Sequence, residues 1–496
     1  MSLDFFLSWT PILLIMVLAV GLKRQALELA CWGTAYTMGL TLVWCKTPLT
    51  VVALAAVDGV LTNLPLLLVI YSGMLLSGLL LETGALARVV TWFSGLTRDS
   101  WHSTLLIAVG SGNFMEGAGI VAEPIIAPML RATGLPGAGS AALSVAGYAG
   151  LMILELGGAI LAVLALVTGL EVNRLALDVA MLSIPATLLM VLSIPWLLGQ
   201  AGQLAARLPL LVAVGLLAGG GALIAAYCGG GSVAGLTGGL AVLAGLSLVG
   251  TRRWRVNPQL LRDMAPLLAL VVCLFSVNLI GPLKAAAIKA WPAAMSIVPI
   301  HAIHFQPLVS AYTYIFLAYF VALGLCRQRK LAGSTFQTTN RRAWKPVVAM
   351  ALFGATGQIV AFSGYTTGFT SMDPTHNIAL TLANGVVDLS GRYYPLLAPL
   401  IGWVGTFLTG YGTASIVLFG KLHITTAELL GVSPSLLASG LAVGSALGSI
   451  SSPLKIALAA SMCDAQGQEG EILRRTIPLG VGVSLLLGLV LWLALI

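Results

Sequence analysis

The sequence predicts an all-α polytopic membrane protein, with about twelve transmembrane helices in two structural repeats and interrupted or re-entrant helices in each. Three observations lead there: an apolar composition, a succession of long apolar runs, and a matched pair of glycine-broken segments. Of 496 residues, 58% are hydrophobic and 8% charged, where ordinary globular chains carry roughly a quarter charged. A water-soluble fold cannot hide that much apolar surface, so the solvent is lipid. The 57 glycines fit helices that approach closely in a bilayer.

Taken in order, apolar runs begin near 8–22, 26–45 and 60–81. An interrupted region spans 103–170, and further runs lie near 175–200, 208–227 and 232–250. The second half continues with 264–281, 307–326 and 345–363, a second interrupted region at 395–463, and a last run at 474–496. At ~20 residues per crossing this is about twelve passes. Residues 1–250 form one half and 251–496 the other. The stretch Arg327–Lys345 reads as a hydrophilic loop, and it is the longest one.

The net charge of +8 does not call for nucleic acid. The basic residues gather at the ends of apolar runs: Lys23 and Arg24, Arg252, Arg253 and Arg255, Arg327, Arg329 and Lys330, Arg341, Arg342 and Lys345, Arg474 and Arg475. The positive-inside rule reads them as cytoplasmic loops. The six cysteines show no CxxC spacing, which leaves buried thiols rather than a disulfide framework or a metal site. No phosphate loop, HExxH or GxSxG motif is present, so no enzyme activity, cofactor or metal is expected.

The interrupted regions match each other. Gly112-Asn113-Phe114-Met115-Glu116-Gly117-Ala118-Gly119 and Gly405-Thr406-Phe407-Leu408-Thr409-Gly410-Tyr411-Gly412 share G-x-F-x-x-G-x-G, and each is followed by a Gly/Pro turn and a small-residue helix. Irregular backbone at membrane depth is tolerated only inside protein or along a watery cavity. A broken helix also frees N–H groups that hold an anion. Paired breaks therefore point to a carrier with internal repeats and a site between them.

Ionisable groups at bilayer depth are costly and mark function by default. Glu116, Glu123 and Glu155 qualify in the first region, and Lys455 in the second. Glu116 stands at the break, where a carboxyl drawn out of water can take up and release a proton. Lys455 neutralises a substrate carboxylate or pairs with Glu123 or Glu155. Gly112, Asn113 and Gly117 at the first break and Gly410 at the second are counted with them as candidate substrate- or proton-binding residues. The hydroxyls of Thr409, Thr413, Ser415 and Ser452 bond a substrate or satisfy freed backbone. His301 and His304 read as interfacial.

Phe114-Met115-Glu116-Gly117-Ala118 with Pro124, and Gly402-Trp403-Val404-Gly405-Thr406-Phe407-Leu408-Thr409-Gly410, resemble the two signature regions of the L-lactate permease family. Weaker matches in the expected order include Glu82-Thr83-Gly84, Val167-Thr168-Gly169, Arg262 with Pro266, Pro282-Leu283-Lys284 and Ser452-Pro453. The resemblance implies a secondary transporter that takes up L-lactate, glycolate or a related small 2-hydroxy carboxylate by proton symport across the cytoplasmic (inner) membrane. It also implies repeats of inverted topology and, from the wider ion-transporter superfamily, a homodimer. The expected partners are a small organic anion, the coupling H+ and the lipid bilayer.

The chain departs from the family pattern around these motifs. Ile120-Val121-Ala122-Glu123-Pro124 replaces the usual Gly-Phe-Gly-Ala-Pro, and Tyr411-Gly412-Thr413 replaces Ser-Asp-Thr. Ser449 stands where a lysine is usual, and Glu155 where a small residue is usual. With the charges rearranged, a larger carboxylate or a sulfonate, Na+ coupling, and an anion channel stay open as alternatives.

Overall fold

The computed structural model describes residues 3–22, 24–95, 99–249, 257–291, 293–325 and 329–495. Lys23, Arg252, Arg253, Arg255, Arg327 and Cys326, and the boundary between the two proposed halves, lie outside the described residues. The described chain is almost entirely helical; its one sheet is a small hairpin pairing Ala293–Met295 with Ile303–Phe305.

Among the described residues, seven helices are long and apolar enough to cross a membrane: Leu49–Glu82, Val172–Leu197, Ala201–Tyr227, Gly231–Leu248, Pro258–Leu279, Pro434–Ser451 and Glu469–Leu495. The chain is thus a multi-pass membrane protein. The figure of about twelve also counts segments that are shorter or less apolar, such as Leu156–Thr168 and Ala311–Leu325, because a broken helix crosses in pieces. The run expected from 60 to 81 begins earlier, as a 34-residue helix Leu49–Glu82, roughly 50 Å long.

From Arg329 onward the stretch read as a loop is instead helical: Arg329–Ala361 is continuous over 33 residues. It lies along Leu49–Glu82. Its polar residues are held by that helix, with Tyr71 donating to Asn340 at 2.7 Å and Thr335 to Glu82 at 2.6 Å. Tertiary contact turns a hydrophilic segment into a helix face.

The two interrupted regions pack reciprocally. In the first half, helices Glu123–Ala132 and Gly137–Ala146 make a hairpin, followed by a break and then Ala159–Thr168. In the second, Gly412–Leu430 and Pro434–Gly448 make a hairpin, followed by a break and then Pro453–Ser461. Ala159–Thr168 packs on Gly412–Leu430, and Pro453–Ser461 packs on both helices of the first hairpin. Helices Gly137–Ala146 and Pro434–Gly448 start 297 residues apart, as do Val172–Leu192 and Glu469–Leu495.

Small residues allow this packing. Tyr394–Thr409 crosses Pro434–Gly448 so closely that a Cβ on Gly444 would lie 1.9 Å from the Pro399 carbonyl oxygen. Gly444→Ala should therefore lower stability by about 1–3 kcal/mol, read by thermal unfolding in detergent. Gly482→Ala, where a Cβ meets nothing within 4 Å, is the control expected to leave it unchanged.

Candidate functional site

The first break begins where the short helix Gly112–Gly117 ends. Gly119 turns the chain at φ +80°, a conformation that costs other residues energy. Ahead lies the N-terminus of Glu123–Ala132, whose first N–H groups lack partners within the helix. Glu116 bridges the gap: its Oε1 accepts the Ala122 N–H at 2.6 Å. Asn113 joins this segment to the next break, its amide donating to the carbonyls of Val109 at 2.7 Å and Gly147 at 3.2 Å.

Glu123 opens the hairpin helix and is 2% exposed. Its Oε1 accepts a hydrogen bond from the Tyr148 hydroxyl at 2.5 Å and lies 3.3 Å from Lys455 Nζ. Lys455 comes from the other half, in the first turn of Pro453–Ser461. It also donates to the Tyr148 hydroxyl at 2.9 Å and sits 5.1 Å from the centre of that ring. A cation in a first helical turn opposes the helix dipole, so the carboxylate of Glu123 is what holds it there. Glu155, between two short 3-10 turns, is fully buried. Neither of its carboxyl oxygens has a hydrogen-bond partner among the described residues. It stands within electrostatic reach of Glu116, Lys455 and Glu123.

Of the residues singled out from sequence, the fold gathers Glu116, Glu123, Glu155 and Lys455 into one cluster, with Asn113 and Gly112 at its edge. A Cβ on Gly112 would touch Tyr148 at 3.7 Å, whereas one on Gly117 would strike the Leu236 backbone at 2.4 Å. The second break is stitched by its own hydroxyls. Thr409 bonds the carbonyls of Gly405 and Tyr411 around Gly410, whose φ is +82°, and Ser415 bonds the Gly402 carbonyl at 2.8 Å. Thr413 is buried in the first turn of Gly412–Leu430. The Ser452 hydroxyl is buried without a partner among the described residues, and a Cβ on Gly410 would lie 3.4 Å from it. Gly410 and Ser452 thus bring the two breaks of the second half together.

Tyr148 was not singled out from sequence. Its signal is a lone tyrosine in the small-residue run Gly147-Tyr148-Ala149-Gly150, at the second break of the first half. A separate cavity lies elsewhere. It holds about 380 Å³ between Glu82, Arg88, Arg262 and Asp263, and Arg88 and Asp263 already form an ion pair at 2.6 Å. The carboxyl cluster, by contrast, is enclosed, and its chemistry rather than its volume marks it.

The sequence profile of L-lactate permease matches residues 4–262 and 254–496. The chain belongs to the L-lactate permease family. It is 34% identical over 197 residues to the glycolate permease GlcA of Escherichia coli K12, a match covering 39% of this chain and 32% of that one. It is 26% identical over 456 residues to the L-lactate permease of Streptococcus iniae, covering 86% and 92%. The chain spans about a third or less of the length of the E. coli relatives it matches. The crystal structure of the Alcanivorax borkumensis YdaH transporter aligns over 95% of this chain and 98% of that one, at 14% identity and a TM-score of 0.46.

Lys455→Met should be strongly destabilising, by about 3–5 kcal/mol, because it strands Glu123 as an uncompensated buried charge. The double variant Lys455→Met/Glu123→Gln should recover most of that loss in the same detergent melt. A double variant as unstable as the single one would show that the pair is not what the lysine supports.

Proposed function

We propose that the chain is a secondary active transporter that imports L-lactate, glycolate or a related small 2-hydroxy carboxylate by proton symport. The observation that carries this reading is one lysine placed among three buried carboxyl groups where the two halves meet. With all four groups ionised the cluster holds two unbalanced negative charges, an expensive state away from water, and an anionic substrate cannot join it. A proton taken up by Glu123 removes one charge and releases the Lys455 ammonium. That ammonium then pairs with the substrate carboxylate, while the Tyr148 and Ser452 hydroxyls bond the 2-hydroxyl. Proton and anion entering together keep the charge constant, which makes one depend on the other.

Glu116 and Glu155 belong to the same proton-handling group. Gly112, Asn113, Gly117, Thr409, Gly410, Thr413 and Ser415 shape the breaks around them. Reciprocal packing and the recurring 297-residue spacing support two repeated halves, 1–250 and 251–496. Similarity to a glycolate permease and to L-lactate permeases supports the substrate class. The superfamily resemblance supports a homodimer as the working assembly.

Purified protein in liposomes should accumulate labelled L-lactate or glycolate under an inward proton gradient. Glu123→Gln and Glu116→Gln should lose gradient-driven accumulation at least tenfold, roughly one pK unit of coupling energy, while Glu123→Gln still exchanges substrate across the membrane. No gradient-driven uptake for any of a panel of small carboxylates would overturn the substrate class. Uptake driven by sodium alone would reassign the coupling ion, and unitary currents in planar bilayers would make the protein a channel.

A further inference from the structure

We propose that His301 and Asp58 form a second proton-binding site, separate from the carboxyl cluster, which when protonated pins the 293–305 hairpin to the helices beneath it. Asp58 is fully buried in the helix Leu49–Glu82. His301 lies between the hairpin strands, and its Nδ1 is 2.8 Å from Asp58 Oδ2. Its Nε2 is 3.0 Å from the carbonyl oxygen of Leu166, in Ala159–Thr168, the helix that follows the Glu155 break.

Both neighbours of the ring are acceptors: a carboxylate oxygen and a backbone carbonyl. A neutral imidazole has one N–H and one lone pair, so it can satisfy only one of them. An imidazolium donates to both at once, and the bridge therefore holds its proton on the ring. The rest of the hairpin tip supports the same docking. Val298 is fully buried against Val51, Val52 and Ala55 of the long helix and against Phe362, whose ring centre lies 6.3 Å from that of His301. Ser296 Oγ bonds the carbonyls of Val298 and His301, closing the tip on itself.

The charged groups acting on His301 come from two packed helices: Asp58 from Leu49–Glu82 and Lys421 from Gly412–Leu430. Burial disfavours the charged ring and Lys421 adds to that. The hydrogen bond and charge of Asp58, helped by the Leu166 carbonyl, outweigh both and hold the pKa above the ordinary histidine value. The sign follows by linkage. The latch contributes fully below the ordinary histidine value of about 6.5 and is lost as pH rises through the higher bound value. Proton loss then removes a donor between the long helix, the hairpin and the helix after the break, which frees these elements to move relative to one another.

The full chain, labelled with 15N-histidine in lipid nanodiscs, tests this. The chain has five histidines, and His301→Gln identifies the relevant signal. The wild type should show a ring protonated on both nitrogens at pH 7 that titrates above the exposed histidines. Amide protection over 293–305, corrected for intrinsic exchange, should fall about tenfold or more between pH 6 and pH 9, the equivalent of one pK unit. Asp58→Asn should abolish both effects and Glu123→Gln should leave both in place. A neutral His301 ring at pH 6–7 in the wild type, or hairpin protection that does not change with pH, would overturn the proposal. These two wild-type measurements decide it even where Asp58→Asn fails to fold.

Discussion

Hydrocarbon offers no partner to a freed backbone group or an unpaired charge, and the arrangement of this protein follows from that constraint. At both glycine turns the freed amides and carbonyls find protein instead of lipid. At the first break the Ala122 amide finds Glu116. At the second, Thr409 closes the turn around Gly410. The short helices that follow the breaks pack on the opposite hairpins, and that contact is where the ionisable groups meet.

The same constraint acts on charge. Lys455 and Glu123 come from opposite halves and from the first turns of two short helices. Glu123 sits favourably at a positive helix end, whereas Lys455 does not. Their bond therefore holds an unfavourably placed ammonium at its helix end. Tyr148 adds a second hydroxyl contact and a ring face to the same lysine. Glu155, with no hydrogen-bond partner among the described residues, is the least well satisfied of the four clustered groups.

Much of the site was legible in the sequence. Glu116, Glu123, Glu155 and Lys455 stood out because charge at membrane depth is rare and costly, and the motif pair located the breaks. Tyr148 did not stand out, because a tyrosine in an apolar run looks like any core aromatic until its hydroxyl has a partner. Asp58 was hidden by a boundary: the apolar run appeared to start near 60, which left the aspartate outside the span, whereas the helix begins at Leu49. The segment after Arg327 looked like a loop because its polarity hides a face that only Leu49–Glu82 satisfies.

The solvent, the helical class and the positions of the breaks are readable in the linear order of residues, and the family in its two signature motifs. Each rests on composition or on patterns that span a few neighbouring residues. Which charges touch depends on how the helices pack. Lys455 lies 332 positions from Glu123 and His301 lies 243 from Asp58, and no local pattern links residues so far apart. Packing of the halves selects Glu123 rather than Glu155 as the partner of the lysine, because the helix that carries Lys455 lies across the hairpin that Glu123 opens.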